Sequence, residues 1–165
     1  MKFNVVIPAR YTSTRLPGKA LLEIRGKPVI QYVYENACKS GAEQVIIATD
    51  DQRIVASAQS FDAEVYLTAS NHKSGTDRIA EVARIKSWNE SIAIVNVQGD
   101  EPMMPAENIR QVAENLIANI HVSMSTLCTP ILSGEEYQDS NVVKVIYDEN
   151  NIALNFSRIP KFFNS

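Results

Sequence analysis

Residues Phe3 to Ile7 form an apolar, β-branched run that Pro8 interrupts, which predicts a buried first strand. From Ala9 to Lys19 no helical or strand period is visible, so this stretch reads as a loop. Pro28 suits the first position of a helix carrying Val29, Ile30, Val33 and Ala37 at helical spacing, with Ser40-Gly41 as its stop. Gln44 to Thr49 reads as a second strand, and Asp50-Asp51 as the cap of a helix through Ser60. Ala63 to Leu67 reads as a third strand. Ser74 is placed to cap a helix from Gly75 towards Lys86 that buries Ile79, Val82 and Ala83.

Ser91 to Val97 has the pattern of a fully buried strand, ended by Gln98-Gly99-Asp100-Glu101-Pro102. A helix over Ala106 to Ala118 presents Ile109, Val112, Ala113 and Leu116 on one face. Val122 to Leu127 and Val142 to Tyr147 read as further strands, with Ile152 to Phe156 pairing with the second of them across Asp148 to Asn151. Strands alternating with helices imply parallel pairing through right-handed crossovers, a layered α/β fold. In such sheets ligands sit beyond the carboxyl ends of the strands. The segments there are Pro8 to Lys19, Thr49 to Gln52, His72 to Arg78 and Gln98 to Pro102, all of them polar.

The length of 165 residues suits one domain, and 45% hydrophobic with 21% charged residues is ordinary for a globular chain. A formal net charge of −3 excludes a general nucleic-acid binder, which needs a basic excess or stripe. Cys38 and Cys128 are too few for a disulfide framework or a cysteine metal site. The apolar run after Met1 is too short for a signal peptide or a membrane span, and no later run approaches spanning length; the expected location is the cytoplasm, with no membrane partner.

Within that outline three segments can carry chemistry. Pro8 to Lys19 lies where a phosphate-binding loop belongs, and Arg10, Arg15 and Lys19 can surround a polyphosphate, each charge-assisted contact contributing roughly 1.5–3 kcal/mol. It is neither a Walker A loop, because Ala20 follows Gly18-Lys19, nor a GxGxxG fingerprint. The same residues also read as a solvated basic loop shaped by Pro17 and Gly18. Asn96 to Pro102 sets Asp100 at a strand end beside Gly99. There a carboxylate can hold Mg²⁺ together with substrate phosphates, or simply cap a turn. His72 to Arg78 offers hydroxyls and backbone groups to a base or ribose, or is an ordinary capped helix start. No HExxH, EF-hand or GxSxG pattern occurs.

In this order, IPARYTSTRLPGKAL at Ile7 to Leu21, SGTDR at Ser74 to Arg78 and NVQGDEP at Asn96 to Pro102 resemble the signatures of CMP-Kdo synthetases. ATDD at Ala48 to Asp51, NVVKV at Asn141 to Val145 and FSR at Phe156 to Arg158 support the match, which reaches Arg158. The resemblance implies a Rossmann-like sandwich with a mostly parallel central sheet, of the nucleotide-diphospho-sugar transferase type. It also implies a reaction in which the anomeric hydroxyl of Kdo attacks the α-phosphorus of CTP, giving CMP-Kdo and diphosphate for lipopolysaccharide biosynthesis. By motif position, Arg10 and Lys19 would bind the triphosphate, with Arg15 ordering the loop or touching phosphate. Ala9, Ser74, Gly75 and Arg78 would shape the cytidine pocket, Gln98 would contribute base or sugar contacts, and Asp100 would coordinate Mg²⁺. The resemblance also implies a homodimer.

CMP-sialic acid synthetases share the basic loop but differ after the fourth strand, where this sequence reads QGDEP. The family variant acting on 8-amino-Kdo stays open. After Arg158 the sequence departs from the family with Ile159 to Ser165, so the expectation is one nucleotide-binding domain over 1–165, truncated at its C-terminus. The family's sugar-acid residues and its second metal carboxylate would then fall outside it. Two expectations follow: a cytidylyltransferase, or a non-catalytic remnant that at most binds CTP.

Overall fold

A computed structural model describes residues 2–12 and 16–160, which fall into two compact units, Met1–Ser125 and Thr126–Ser165. In chain order the elements are β1 Phe3–Ala9, β2 Glu23–Ile24, β3 Lys27–Pro28, α1 Val29–Cys38, β4 Gln44–Thr49, α2 Gln52–Gln59, β5 Glu64–Leu67 and α3 Gly75–Ile85. These are followed by β6 Ala93–Asn96, α4 Ala106–Ala118, α5 Gly134–Gln138, β7 Lys144–Tyr147 and β8 Ala153–Ser157.

In the first unit four parallel strands form a sheet in the order β5-β4-β1-β6. Side chains of successive strand residues point to opposite faces, and both faces here are apolar, as buried parallel strands require. Phe3, Val5, Ile7 and Ala9 share one core with Val45, Ile47, Ala93 and Val95. Val29, Ile30, Val33 and Ala37 from α1, Ile54 and Ala58 from α2, and Ile109 and Ala113 from α4 complete it. On the opposite face Val6, Ile46 and Ala48 pack against Ile79 and Val82 of α3. The result is a helix–sheet–helix sandwich, the layered α/β class implied by the alternation of strands and helices.

Several local expectations need correction. Pro8 lies inside β1, which continues to Ala9. The Val6 and Pro8 carbonyls accept from Val97 and Gly99, so Pro8 faces the β6 side beyond the last paired residue, where no ladder donor is needed. Pro28 is the N-cap of α1 instead of its first helical residue, and Ala83 is only partly buried. A hairpin of β2 and β3, turning through Arg25 and Gly26 at φ 53° and 76°, precedes α1 and was not evident in the pattern. Val122 to Leu127 is not a strand: no ladder partner lies beside it among the described residues, and Met124 is 82% exposed. Alternating apolar residues stabilise a strand only where a neighbour takes up its backbone N–H and C=O groups.

In the second unit β7 and β8 pair antiparallel as expected, and Ser133 caps the short α5 by accepting from the Glu136 N–H.

Candidate active site

The strand order places the chain's reversal between β1 and β6. From β1 the chain moves outward through β4 to β5 and then returns to the other side of β1. At such a switch point the connections leave in opposite directions and open a crevice beyond the strand ends. The described residues entering it are Arg10 to Thr12 and Leu16 to Lys19 after β1 and Val97 to Pro102 after β6.

These two segments meet. Lys19 donates from Nζ to Asp100 Oδ2 at 2.9 Å, with both side chains about half exposed. The Gly99 N–H donates to the Pro8 carbonyl at 3.3 Å. A Cβ at Gly99 would stand 3.0 Å from that carbonyl oxygen and 3.1 Å from Ala9 Cβ, so the close approach requires glycine. Asn36 of α1 holds the far end of the turn through its amide, which donates to the Pro102 carbonyl at 2.9 Å. Partial burial, reinforced by neighbouring Asp100, raises the Glu101 carboxyl above its ordinary range, and Lys19 opposes this.

The third segment arrives from α3. Arg10 donates through Nη2 to the His72 carbonyl at 2.7 Å. The His72 ring in turn is held by Glu81, whose carboxylate also accepts from the Ala69 N–H at 3.0 Å. The His72 contact, foremost, holds the Glu81 carboxyl below its ordinary range. Ser74 forms a capping box with Asp77, its hydroxyl accepting from the Asp77 N–H while the Asp77 carboxylate accepts from the Ser74 N–H. Gly75 lies against Pro8 and near the Gln98 amide: an added Cβ would be 3.3 Å from Pro8 Cγ and 3.8 Å from Gln98 Nε2. Gln98 itself donates to Asn96 Oδ1 at 3.0 Å.

Of the residues singled out from the sequence, Ala9, Arg10, Lys19, Gly75, Gln98 and Asp100 therefore lie on converging segments, with Ser74 at the start of α3. Arg15 lies outside the described residues. Arg78 is a different case. Its side chain has no exposure, and its guanidinium donates to Asp50 Oδ2 at 2.8 Å and to the Thr68 hydroxyl. It ties α3 to the ends of β4 and β5 from beneath the surface. His72, Glu81, Asp50 and Thr68 were not marked as partners by the pattern of the chain. The nine-residue offset of His72 and Glu81 crosses from a loop into a helix, so no single period connects them.

A divalent cation would find the accessible Asp100 carboxylate here as a hard oxygen donor, with Glu101 beside it. Among the described residues no group of three or more His, Cys, Asp and Glu side chains gathers to hold a metal. A single carboxylate fits Mg²⁺ when nucleotide phosphates supply further ligands. No helix of the described residues is long and apolar enough to cross a membrane.

Comparison with known proteins finds clear relatives. A family model described as Cytidylyltransferase matches residues 4–165. A 3-deoxy-manno-octulosonate cytidylyltransferase from Thioalkalivibrio sulfidiphilus is 54% identical over 160 residues, covering 97% of this chain and 64% of that protein. One from Pseudomonas syringae pv. syringae is 56% identical over 158 residues, covering 96% and 62%. The chain thus spans just under two thirds of the length of these relatives. A solved structure of CMP:2-keto-3-deoxy-manno-octonic acid synthetase complexed with CTP superposes with a TM-score of 0.85 at 37% identity, covering 99% of this chain and 67% of that one.

Proposed function

The chain belongs to the cytidylyltransferase family, among the CMP-Kdo synthetases, and on that premise we propose that it serves the transfer of a cytidylyl group from CTP to Kdo. One observation carries this reading: Lys19 and Asp100 meet at the β1/β6 switch point, bringing a cation from the basic loop beside an accessible carboxylate. Such a pair suits a triphosphate, whose charge must be neutralised while its α-phosphorus stays open to attack.

In this reading the triphosphate lies along the basic loop, with Arg10 and Lys19 as its cations and Arg15 as a further contact. Ala9, Ser74 and Gly75, with the Gln98 amide, line the cytidine side. Arg78, being buried, acts by holding Asp50 and Thr68. The anomeric hydroxyl of the sugar acid attacks the α-phosphorus, the bond to the bridging oxygen breaks, and diphosphate leaves. Asp100 would hold Mg²⁺, which when bound supplies charge neutralisation on the phosphates. No covalent enzyme intermediate is needed, because positioning and electrostatics provide the catalysis. A single nucleotide-binding domain for this chain, the family's homodimeric state and a cytoplasmic location in lipopolysaccharide biosynthesis belong to the same proposal.

The test is diphosphate release by the 165-residue chain with CTP, Mg²⁺ and Kdo, run beside a sugar-free control and 8-amino-Kdo. Release that requires Kdo supports the proposal, and preference for the amino sugar reassigns the substrate. A second reading is binding of CTP without turnover. CTP binding with no release under either sugar acid selects it.

A further inference from the structure

The basic loop is closed at its neck by a backbone hydrogen bond: the Gly18 N–H donates to the Tyr11 carbonyl at 2.8 Å. Arg10 and Lys19, the two cations assigned to the triphosphate, are the residues immediately outside this pair. Whatever fixes Tyr11 against Gly18 therefore fixes the spacing of the two cations.

The Tyr11 ring supports the neck from within. Gly18 has φ +71°, and a Cβ there would stand 3.0 Å from Tyr11 Cε2 and 3.3 Å from its hydroxyl, so the ring occupies the space of a side chain. Tyr11 is also packed against the main core. Across its face lies Arg53, the guanidinium carbon 3.2 Å from the ring centroid. Arg53 is not free to leave. Asp51 accepts from its Nε at 2.9 Å and its Nη2 at 2.6 Å, while also capping α2 by accepting from the Arg53 N–H. Those contacts, led by the side-chain bond from Arg53, hold the Asp51 carboxyl below its ordinary range. A planar guanidinium gripped along one edge by a carboxylate leaves its flat face for stacking, which a lysine cannot reproduce. Nothing in the proposed chemistry uses Arg53, and more than half of its side chain is exposed.

We propose that Arg53, oriented by Asp51 at the start of α2, is a positioning residue that clamps the Tyr11 ring and thereby sets the neck of the basic loop and the spacing of Arg10 and Lys19. The proposal rests on the assignment of this loop to the CTP triphosphate, and it names α2 as an element that shapes the site without reaching into it.

Two readouts on Arg53→Ala test it. The first needs no ligand: amide exchange at Gly18 should quicken about three- to tenfold, the range of a partly desolvated cation–π contact, while amides of β1 and β4 stay as in the parent. Unchanged Gly18 exchange overturns the clamp. The second is CTP affinity by titration calorimetry in a double-mutant cycle with Tyr11→Leu. If Arg53 acts through the ring, its removal weakens CTP binding in the parent and has little further effect in Tyr11→Leu. Equal losses in both backgrounds would mean that Arg53 meets the nucleotide by itself, and would overturn the positioning role. If the parent binds no CTP, the functional assignment fails, and Gly18 exchange alone decides the clamp.

Discussion

Lys19 and Asp100, 81 positions apart in the chain, meet at 2.9 Å between Nζ and Oδ2 beyond the ends of β1 and β6. Both side chains are about half exposed, at 43% and 50%, and an ion pair so placed contributes at most about 1 kcal/mol to stability. Its value is therefore in the site. We predict that Lys19→Ala leaves the urea midpoint nearly unchanged while weakening CTP binding by about 1.5–3 kcal/mol, the worth of a charge-assisted contact. Unaltered CTP affinity by calorimetry would remove Lys19 from the triphosphate site.

Asp100 is the accessible carboxylate that pairs with that lysine, and partial burial raises the Glu101 carboxyl beside it above its ordinary range. Asp100→Ala is expected to abolish the Mg²⁺ dependence of CTP binding, because Asp100 is the carboxylate assigned to the ion and nucleotide phosphates alone leave its shell incomplete. Titrating CTP with and without Mg²⁺ checks this. A metal response that survives the substitution would place the ion elsewhere.

Arg78 carries a different kind of weight. It is completely buried, its partner Asp50 keeps 15% exposure, and its Nε finds no acceptor among the described residues. Removing one member of a buried pair strands the other in a medium that solvates it poorly. Arg78→Met should cost about 3–5 kcal/mol in urea unfolding, and Arg78→Lys should not restore it, since Lys lacks the fork that reaches Asp50 and Thr68 together. A loss below about 1 kcal/mol for Arg78→Met would show that the pair is structurally idle.

The Glu81 carboxyl is depressed in the folded state, chiefly by His72. A depressed carboxyl contributes stability that is fully present above its unfolded value and is lost as pH falls through the folded one. The window therefore opens at the ordinary glutamate value of 4.5 and extends below it. Glu81→Gln should be less stable than the parent at neutral pH and should lose less on acidification below 4.5. Thermal midpoints across that range provide the comparison, and parallel curves would contradict it. Depressed carboxyls at Glu35, Asp51 and Asp77 keep their own acid sensitivity in both proteins.

The periodic elements were legible in the chain. Gln44–Thr49 and Ala106–Ala118 stand where their patterns predicted them, because a short continuous apolar run marks a strand buried on both faces and a 3.6-residue period records which side of a helix meets the core. Ser74 as a helix cap was equally visible, since capping is settled by neighbours three residues away. The ordered motifs of the basic loop, the α3 start and the turn after β6 were enough to indicate the family before any contact was known. Other features depended on partners that no local pattern names. Val122 to Leu127 alternates like a strand yet has no neighbour to pair with among the described residues, and Pro8 is tolerated in β1 because the β6 ladder has already ended. Arg78 reads as one more polar residue at a helix start, and only the packing of α3 under β4 and β5 buries it against Asp50. Likewise, no spacing brings Arg53 onto Tyr11 or Lys19 to Asp100; the return of the chain to the far side of β1 and the seating of α2 beside the loop do so. Local order along the chain specifies faces and ends, whereas long-range closure of the sheet decides which of those ends become neighbours.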